Sequence, residues 1–124
     1  VVRRMNALGL LIDLAHISLP AVRRAAELSS APLLLSHVMV AKPGVNNLRV
    51  LPAEEIRRVT RAGGLIGAWP AGIGLGHFSD YIDEISRLVD LFGVDHVAIG
   101  TDMDANFRPV FGDYAEFPRI PAAL

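Results

Sequence analysis

The sequence predicts an α/β fold with parallel strands, read as the second half of a (β/α)8 barrel of the TIM type, about four strand–helix units long. Three observations carry this reading. Four short apolar runs, Leu10–Leu14, Leu33–Ser36, Leu65–Ala68 and His96–Gly100, are each bounded by polar or turn-forming residues. Runs this short do not make buried helices and match strands covered on both faces. Stretches with helical periodicity separate the runs, and the run centres, near residues 12, 35, 66 and 98, recur at about the period of successive βα units. No strand–glycine–helix junction of the GxGxxG form is present, which favours half a barrel over a doubly wound sheet.

Each element has a local reason. Val1–Leu8 reads as the tail of a helix stopped by Gly9. The first strand follows, interrupted by Asp13 and ending at His16. Ser18 is placed to cap the next helix, with Pro20 in its first turn, where a missing N–H costs little. Val22, Ala25, Ala26 and Leu28 share one face of that helix, and Ser29–Pro32 ends it. The second strand leads into His37. After it, Val38–Leu51 reads as the longest irregular stretch, carrying Lys42 and Arg49 and the turn pairs Pro43-Gly44 and Asn46-Asn47. Pro52 opens the third helix, with Glu54 and Glu55 in the first turn and Ile56 and Val59 facing inward. Gly63-Gly64 ends it. The third strand runs into a glycine-rich segment, Ala68–His77, read as a flexible rim. Phe78, Ile82, Ile85, Val89 and Phe92 then form a helical stripe, with Asp80, Asp83, Glu84, Arg87 and Asp90 assigned mostly to the solvated side. Gly93 stops the helix before the fourth strand. Pro121–Leu124 looks like the start of another helix. A chain that opens and closes inside helices reads as a single partial barrel domain, 1–124, whose N-terminal half is missing.

Composition excludes several classes. The chain has 124 residues, 52% of them hydrophobic, and a mean hydropathy of +0.38. Charges, Gly or Pro interrupt every apolar run, so no membrane-spanning segment is expected. Twelve basic and 13 acidic residues are well mixed, which leaves no footprint for nucleic acid. The absence of cysteine excludes disulfides and thiolate metal sites. No signal-peptide pattern is visible, so the expectation for compartment leans to the cytoplasm.

In barrels and open sheets the chemistry sits just past the carboxyl ends of the strands. His16, His37, Trp69 and Asp102 all follow predicted strands. Adjacent strands lie about 5 Å apart, so the two imidazoles can converge on one ion. The plain alternative is that each histidine caps its strand by hydrogen bonding. Asp102 is a candidate metal ligand or general base, against the reading of a turn or capping aspartate. Asp104 is assigned to the turn or to supporting that site. Arg49 is a candidate clamp for a substrate carboxylate, against a solvated loop arginine. Trp69 either lines a pocket or fills the barrel mouth. His77 and His96 are read as structural. Asp13, inside an apolar run, needs a buried partner and is read as orienting its neighbours, not as a ligand.

Five segments in order extend this reading. Leu11–Ser18 (LIDLAHIS), Ala31–His37 (APLLLSH), Leu48–Glu55 (LRVLPAEE), Gly63–Gly67 (GGLIG) and Gly93–Asp104 (GVDHVAIGTDMD), with Asp113–Pro118 (DYAEFP) closing, resemble the membrane (renal-type) dipeptidases, peptidase family M19, within the metal-dependent amidohydrolase superfamily. The resemblance implies a zinc-dependent hydrolase that cleaves dipeptides with metal-activated water on a (β/α)8 barrel holding two zinc ions. It assigns His16 and His37 to one zinc. Asp102 it assigns to the other zinc and to proton transfer, and Arg49 to the substrate's terminal carboxylate. It also implies that the remaining ligands lie in the other half of the barrel, so that these residues alone would be inactive. The chain departs from the family pattern at Val38, at Val50-Leu51 and at Met103 and Ala105, which leaves the substrate open. Two rivals stand beside this reading: a lactonase or deacylase on the same barrel, and a non-catalytic half-barrel that associates with itself as a homo-oligomer through its open sheet edges.

Overall fold

The computed structural model describes residues 1–43, 50–103 and 107–124. Helix α1 (Val2–Ala7) passes through Gly9, at φ +67°, into strand β1 (Ile12–Asp13). Helix α2 (Leu19–Leu28) leads to β2 (Leu33–Val40), followed by a short β3 (Val50–Leu51) and α3 (Ala53–Arg61). Then come β4 (Leu65–Ala68), α4 (Phe78–Phe92), β5 (Val97–Ile99) and α5 (Arg119–Ala123). Every described strand pair is parallel. The sheet order is β1-β2-β4-β5, with β3 paired to the far end of β2. Ile12 sits opposite Leu33, Leu34 opposite Leu65, and Ile66 opposite Val97. Consecutive units are thus neighbours in space, as a barrel requires and a doubly wound sheet does not.

All four predicted runs contain a strand, but two boundaries differ. β1 is only two residues long, although Leu14 N–H still bonds to the Leu34 carbonyl at 2.8 Å. β2 is twice the expected length and reaches Val40, inside the stretch read as irregular. The reason is β3: Met39 and Val40 pair with Val50 and Leu51, and that pairing cannot be seen in local composition. His37 therefore lies within β2 and not past its end. The β2–β4 register shifts between Leu35 and Val38, so Ser36 and His37 sit at an irregularity in the ladder. Such bulges commonly re-aim side chains beside active sites.

The core forms where the helices meet the sheet. α3 packs on β2 and β4, α4 packs on β4 and β5, and α2 packs on α3. Val22, Leu33, Leu35, Ile56, Val59, Ile66 and Leu88 are all at most 1% exposed. Each such side chain contributes about 1.5–3 kcal/mol by leaving water. A second apolar group that the sequence reading missed gathers Phe78, Tyr81 and Phe117 around Phe111, with ring centroids 5.5–6.4 Å apart.

Two acids depart from expectation. Glu84 was assigned to the solvated side of α4, yet it is buried. Lys42 reaches it at 2.7 Å and Arg87 at 2.7 Å, and Arg87 also donates to the Val40 carbonyl. Glu55, expected only to favour the helix dipole, is buried between Arg23 at 2.7 Å and Arg58 at 3.1 Å. It joins α2 to α3. Both acids face inward because their charges are met there by long basic side chains whose stems cover apolar surface.

Candidate active site

Four side chains meet at the carboxyl ends of the strands. His16 follows β1, His37 belongs to β2, Trp69 follows β4 and Asp102 follows β5. Sheet order brings them together although they span 86 residues of sequence. The His16 and His37 Nε2 atoms are 2.8 Å apart, with ring centroids at 4.7 Å. Asp102 Oδ2 is 3.8 Å from His37 Nε2. One ligating atom from each of His16, His37 and Asp102 lies within 4.8 Å of the others. Trp69 stands 5.3 Å from the His37 ring and 6.3 Å, edge-on, from the His16 ring. A cavity of about 140 Å³ opens beside them, lined by Leu14, His16, Leu35, His37, Met39 and Trp69 among others. The Trp69 Nε1 atom is buried and has no hydrogen-bond partner among the described residues.

The backbone is unusual at this end. His16 has φ +61° and Asp102 has φ +50°, both in the left-handed region that non-glycine residues seldom adopt. Strain of this kind clusters at functional sites. Two glycines allow the strand ends to close. A Cβ at either Gly67 or Gly100 would run into the Ser36 carbonyl, so β2, β4 and β5 approach each other there only because both residues lack one. The Tyr81 hydroxyl, buried under α4, donates to the Ala68 carbonyl at 3.0 Å, with the Gly100 carbonyl at 3.4 Å. Burial pushes its phenol far above the usual value, so it remains a donor.

The electrostatics favour a neutral His37. Burial pushes its imidazole below the ordinary value, and His16 adds to that shift. Asp102 and Asp13 pull it upward without cancelling it. Neutral imidazole is the form that binds metal. Asp13 is exposed, not buried as its apolar surroundings suggest, and its Oδ1 accepts from the Ala15 N–H at 3.0 Å and the Ser36 N–H at 3.1 Å. Its partial burial raises the carboxyl's pKa, but hydrogen bonds from the Ser36 side chain and from those two N–H groups outweigh this and hold it below the usual range.

The other residues singled out by sequence stand apart. His96 Nδ1 donates to the Gly64 carbonyl at 2.9 Å, at the opposite end of the strands. The His77 N–H donates to Asp80 Oδ2 at 2.9 Å, at the start of α4. Arg49 and Asp104 lie outside the described residues. The sequence reading did not connect Ser36 to this site. Its one signal was its place beside His37.

Two imidazole nitrogens and a carboxylate oxygen, one imidazole held neutral, form a donor set of the kind zinc takes. Comparison with known proteins accords with this. The family model for membrane dipeptidase, peptidase family M19, matches residues 1–124. The chain belongs to that family. The dipeptidase tcpJ of Claviceps purpurea is 28% identical over 132 residues, an overlap of 100% of this chain and 31% of that protein. The dipeptidase verJ of Clonostachys rogersoniana is 26% identical, over 100% of this chain and 33% of that protein. A metallopeptidase from Rhodobacter sphaeroides, solved with a phosphinate mimic of the dipeptide L-Ala-D-Ala, superimposes with a TM-score of 0.85 at 26% identity, covering 98% of this chain and 37% of that one. The chain thus spans about a third of the length of these M19 relatives, and its parallel strands and helices form part of such a barrel.

Proposed function

We propose that residues 1–124 form the carboxyl-terminal half of a zinc-dependent dipeptidase barrel. The convergence of His16, His37 and Asp102 at the strand ends carries this reading. The open sheet edges support the half-barrel. β1 and β5 are the outer strands, and Leu10, Leu11 and Ile99 are exposed there, where the remaining strands of a barrel would pair. No described helix is long and apolar enough to cross a membrane.

In this reading His16 and His37 hold one zinc through their Nε2 atoms, and Asp102 holds the other through its carboxylate. Bound zinc lowers the pKa of water toward ~7 and polarises a peptide carbonyl. Asp102 takes up a proton at its carboxylate and passes it to the leaving amine. Trp69 and Leu14 form apolar walls that exclude water from the reacting bond. Arg49 receives the free carboxylate of the substrate, which restricts the site to short peptides.

The test compares the protein with the full barrel and its His37→Ala variant. The full barrel is expected to hold about two zinc ions and hydrolyse dipeptides. The variant is expected to lose activity and at least ~100-fold in zinc affinity, more than the 10–100-fold typical of residues that only support a ligand. Undiminished dipeptidase activity in the variant overturns the assignment. Zinc uptake with no dipeptide cleavage, but with turnover in a panel of lactones and acylated amines, replaces the substrate and keeps the site.

A further inference from the structure

Among the described residues, two buried side-chain nitrogens have no hydrogen-bond partner: Asn6 Nδ2, in α1, and Trp69 Nε1, beside the histidines. Trp69 is only 5% exposed. An indole nitrogen only donates, and a buried donor without an acceptor costs stability. The backbone on either side of Trp69 is well bonded. The Ala68 carbonyl accepts from the Gly100 N–H and from the Tyr81 hydroxyl, both at 3.0 Å. The Pro70 carbonyl accepts from the Val110 N–H at 3.0 Å, and the Gly72 N–H donates to the Phe107 carbonyl at 2.9 Å. The open donor therefore does not mark a loose loop.

Nearby acceptors are already engaged. His37 Nε2 faces His16 Nε2 at 2.8 Å, and the Ser36 Oγ lies 3.1 Å from His37 Nδ1. The Glu84 carboxylate, which lines a cavity together with Trp69, is held by Lys42 and Arg87 at 2.7 Å each. Space for a new acceptor adjoins the ring. Trp69 lines both the cavity of about 140 Å³ beside the histidines and a second one of about 30 Å³, walled also by Val38, Ile73 and Leu75. One water needs roughly 10–15 Å³, so each cavity has room for a polar atom of a ligand. With two cavities against it, the ring also has room to turn its N–H toward a guest.

We propose that Trp69 is a substrate-binding residue whose indole N–H donates to a carbonyl oxygen of the bound peptide. This rests on the dipeptidase reading above. The Trp69 ring centroid is 5.3 Å from that of His37 and 6.3 Å from that of His16, so a peptide held at the histidines brings its backbone oxygens alongside the indole. The indole is uncharged, which suits a neutral carbonyl. A carboxylate is better met by an arginine, the part given to Arg49. A bond made equally before and during the reaction lowers KM and leaves kcat alone. Trp69 also selects ligands that carry an acceptor over apolar ones of the same shape, because the latter leave its N–H buried and unpaired.

The test uses the full-barrel protein, with Ala-Ala as substrate and its uncleaved phosphinate analogue as ligand. The Trp69 indole N–H signal is assigned in proton–nitrogen NMR spectra by its loss in Trp69→Phe or, should that variant not fold, by its contacts to the His37 ring. In the wild type the analogue is expected to move that proton downfield, as a new hydrogen bond does. Trp69→Phe keeps an aromatic wall and removes the donor. It is expected to raise KM for Ala-Ala about tenfold, the size of one net hydrogen bond, with kcat within about threefold and zinc content unchanged. A ring that only packs against the histidines would instead lower zinc content or kcat and spare KM, and that result overturns the proposal. So does an indole proton that the analogue leaves unmoved, or one already downfield without it, bonded to water or to the rest of the barrel. If the wild type neither cleaves Ala-Ala nor binds the analogue, the dipeptidase reading falls and takes this role of Trp69 with it. Cleavage with an unmoved indole proton sinks the role of Trp69 alone.

Discussion

The two charged clusters between helices and sheet and the polar cluster at the strand ends solve opposite problems. Glu55 and Glu84 are buried, and each meets two basic partners. Those networks are closed: every negative charge has a positive one, and the arrangement ties α2 to α3 and α4 to β2. At the strand ends two imidazoles and a carboxylate face one another instead. None is a strong donor for the others, and two of the three sit on left-handed backbone. A closed network contributes to the fold. An open one costs stability and becomes favourable only when something positive occupies it, which is the signature of a site.

Breaking each cluster separates the two roles. The largest effect is expected at the open one. His37→Ala removes metal binding while the apparent melting temperature of the metal-free protein stays the same or rises, because an uncompensated group has gone. A variant that both unfolds and loses metal would erase the distinction. Gly67→Ala tests the backbone approach that joins the halves of the site. Its added methyl meets the Ser36 carbonyl, and a strain of about 1–3 kcal/mol together with loss of zinc is expected. Denaturant unfolding and zinc titration read both.

At the closed cluster, Glu84→Ala is expected to lower stability by about 2 kcal/mol. That is less than the ~3–5 of a fully buried pair, because Lys42 and Arg87 are each about one-third exposed. Zinc affinity per folded molecule should stay within a few-fold. The pH dependence sharpens this. Burial raises the Glu84 carboxyl's pKa, but hydrogen bonds and charges from Arg87 and Lys42 outweigh it, so its folded value lies below the usual 4.5. A depressed folded pKa gives stability that is present above about 4.5 and is lost as the pH falls through the folded value. The wild type's advantage over Glu84→Gln should therefore be full at pH 7 and shrink on acidification below that point. A difference that grows in acid would reverse the assignment. The smallest effect belongs to Tyr81→Phe, which removes one buried hydrogen bond and should cost about 1 kcal/mol, read as a shift in denaturant midpoint.

What was legible in the sequence follows the same division. The strands, the helices and the convergence of His16, His37 and Asp102 were legible because short-range patterns encode them: apolar runs, helical spacing, and position after a strand. The length of β2 was not, because it depends on pairing with Val50 and Leu51 across a long loop. Nor was the burial of Glu84, since Lys42, which neutralises it, lies 42 residues away. Asp13 was read as orienting its neighbours, and its bonds to Ala15 and Ser36 agree with that. Its exposure, however, shows that it needed backbone donors and not a buried partner. The link from Ser36 to His37 has no periodic signal, because one hydroxyl beside one imidazole looks like any other Ser-His pair. Nothing local marked Gly67 and Gly100 as positions of close approach, because their shared neighbour, the Ser36 carbonyl, comes from a different strand.

The all-parallel sheet order also has a consequence in time. There is no hairpin among β1, β2, β4 and β5. Ile12 and Leu33, Leu34 and Leu65, and Ile66 and Val97 must each find each other across 21 to 31 residues. Each such loop must close before any contact repays it, so nucleation is slow. On a ribosome, synthesis runs toward the carboxyl end, so β1 and β2 emerge before β4 and β5 and can bring His16 and His37 together long before Asp102 exists. Of these three residues the two histidines are then the first to meet, and the acid joins them with the last strand of this sheet to be made.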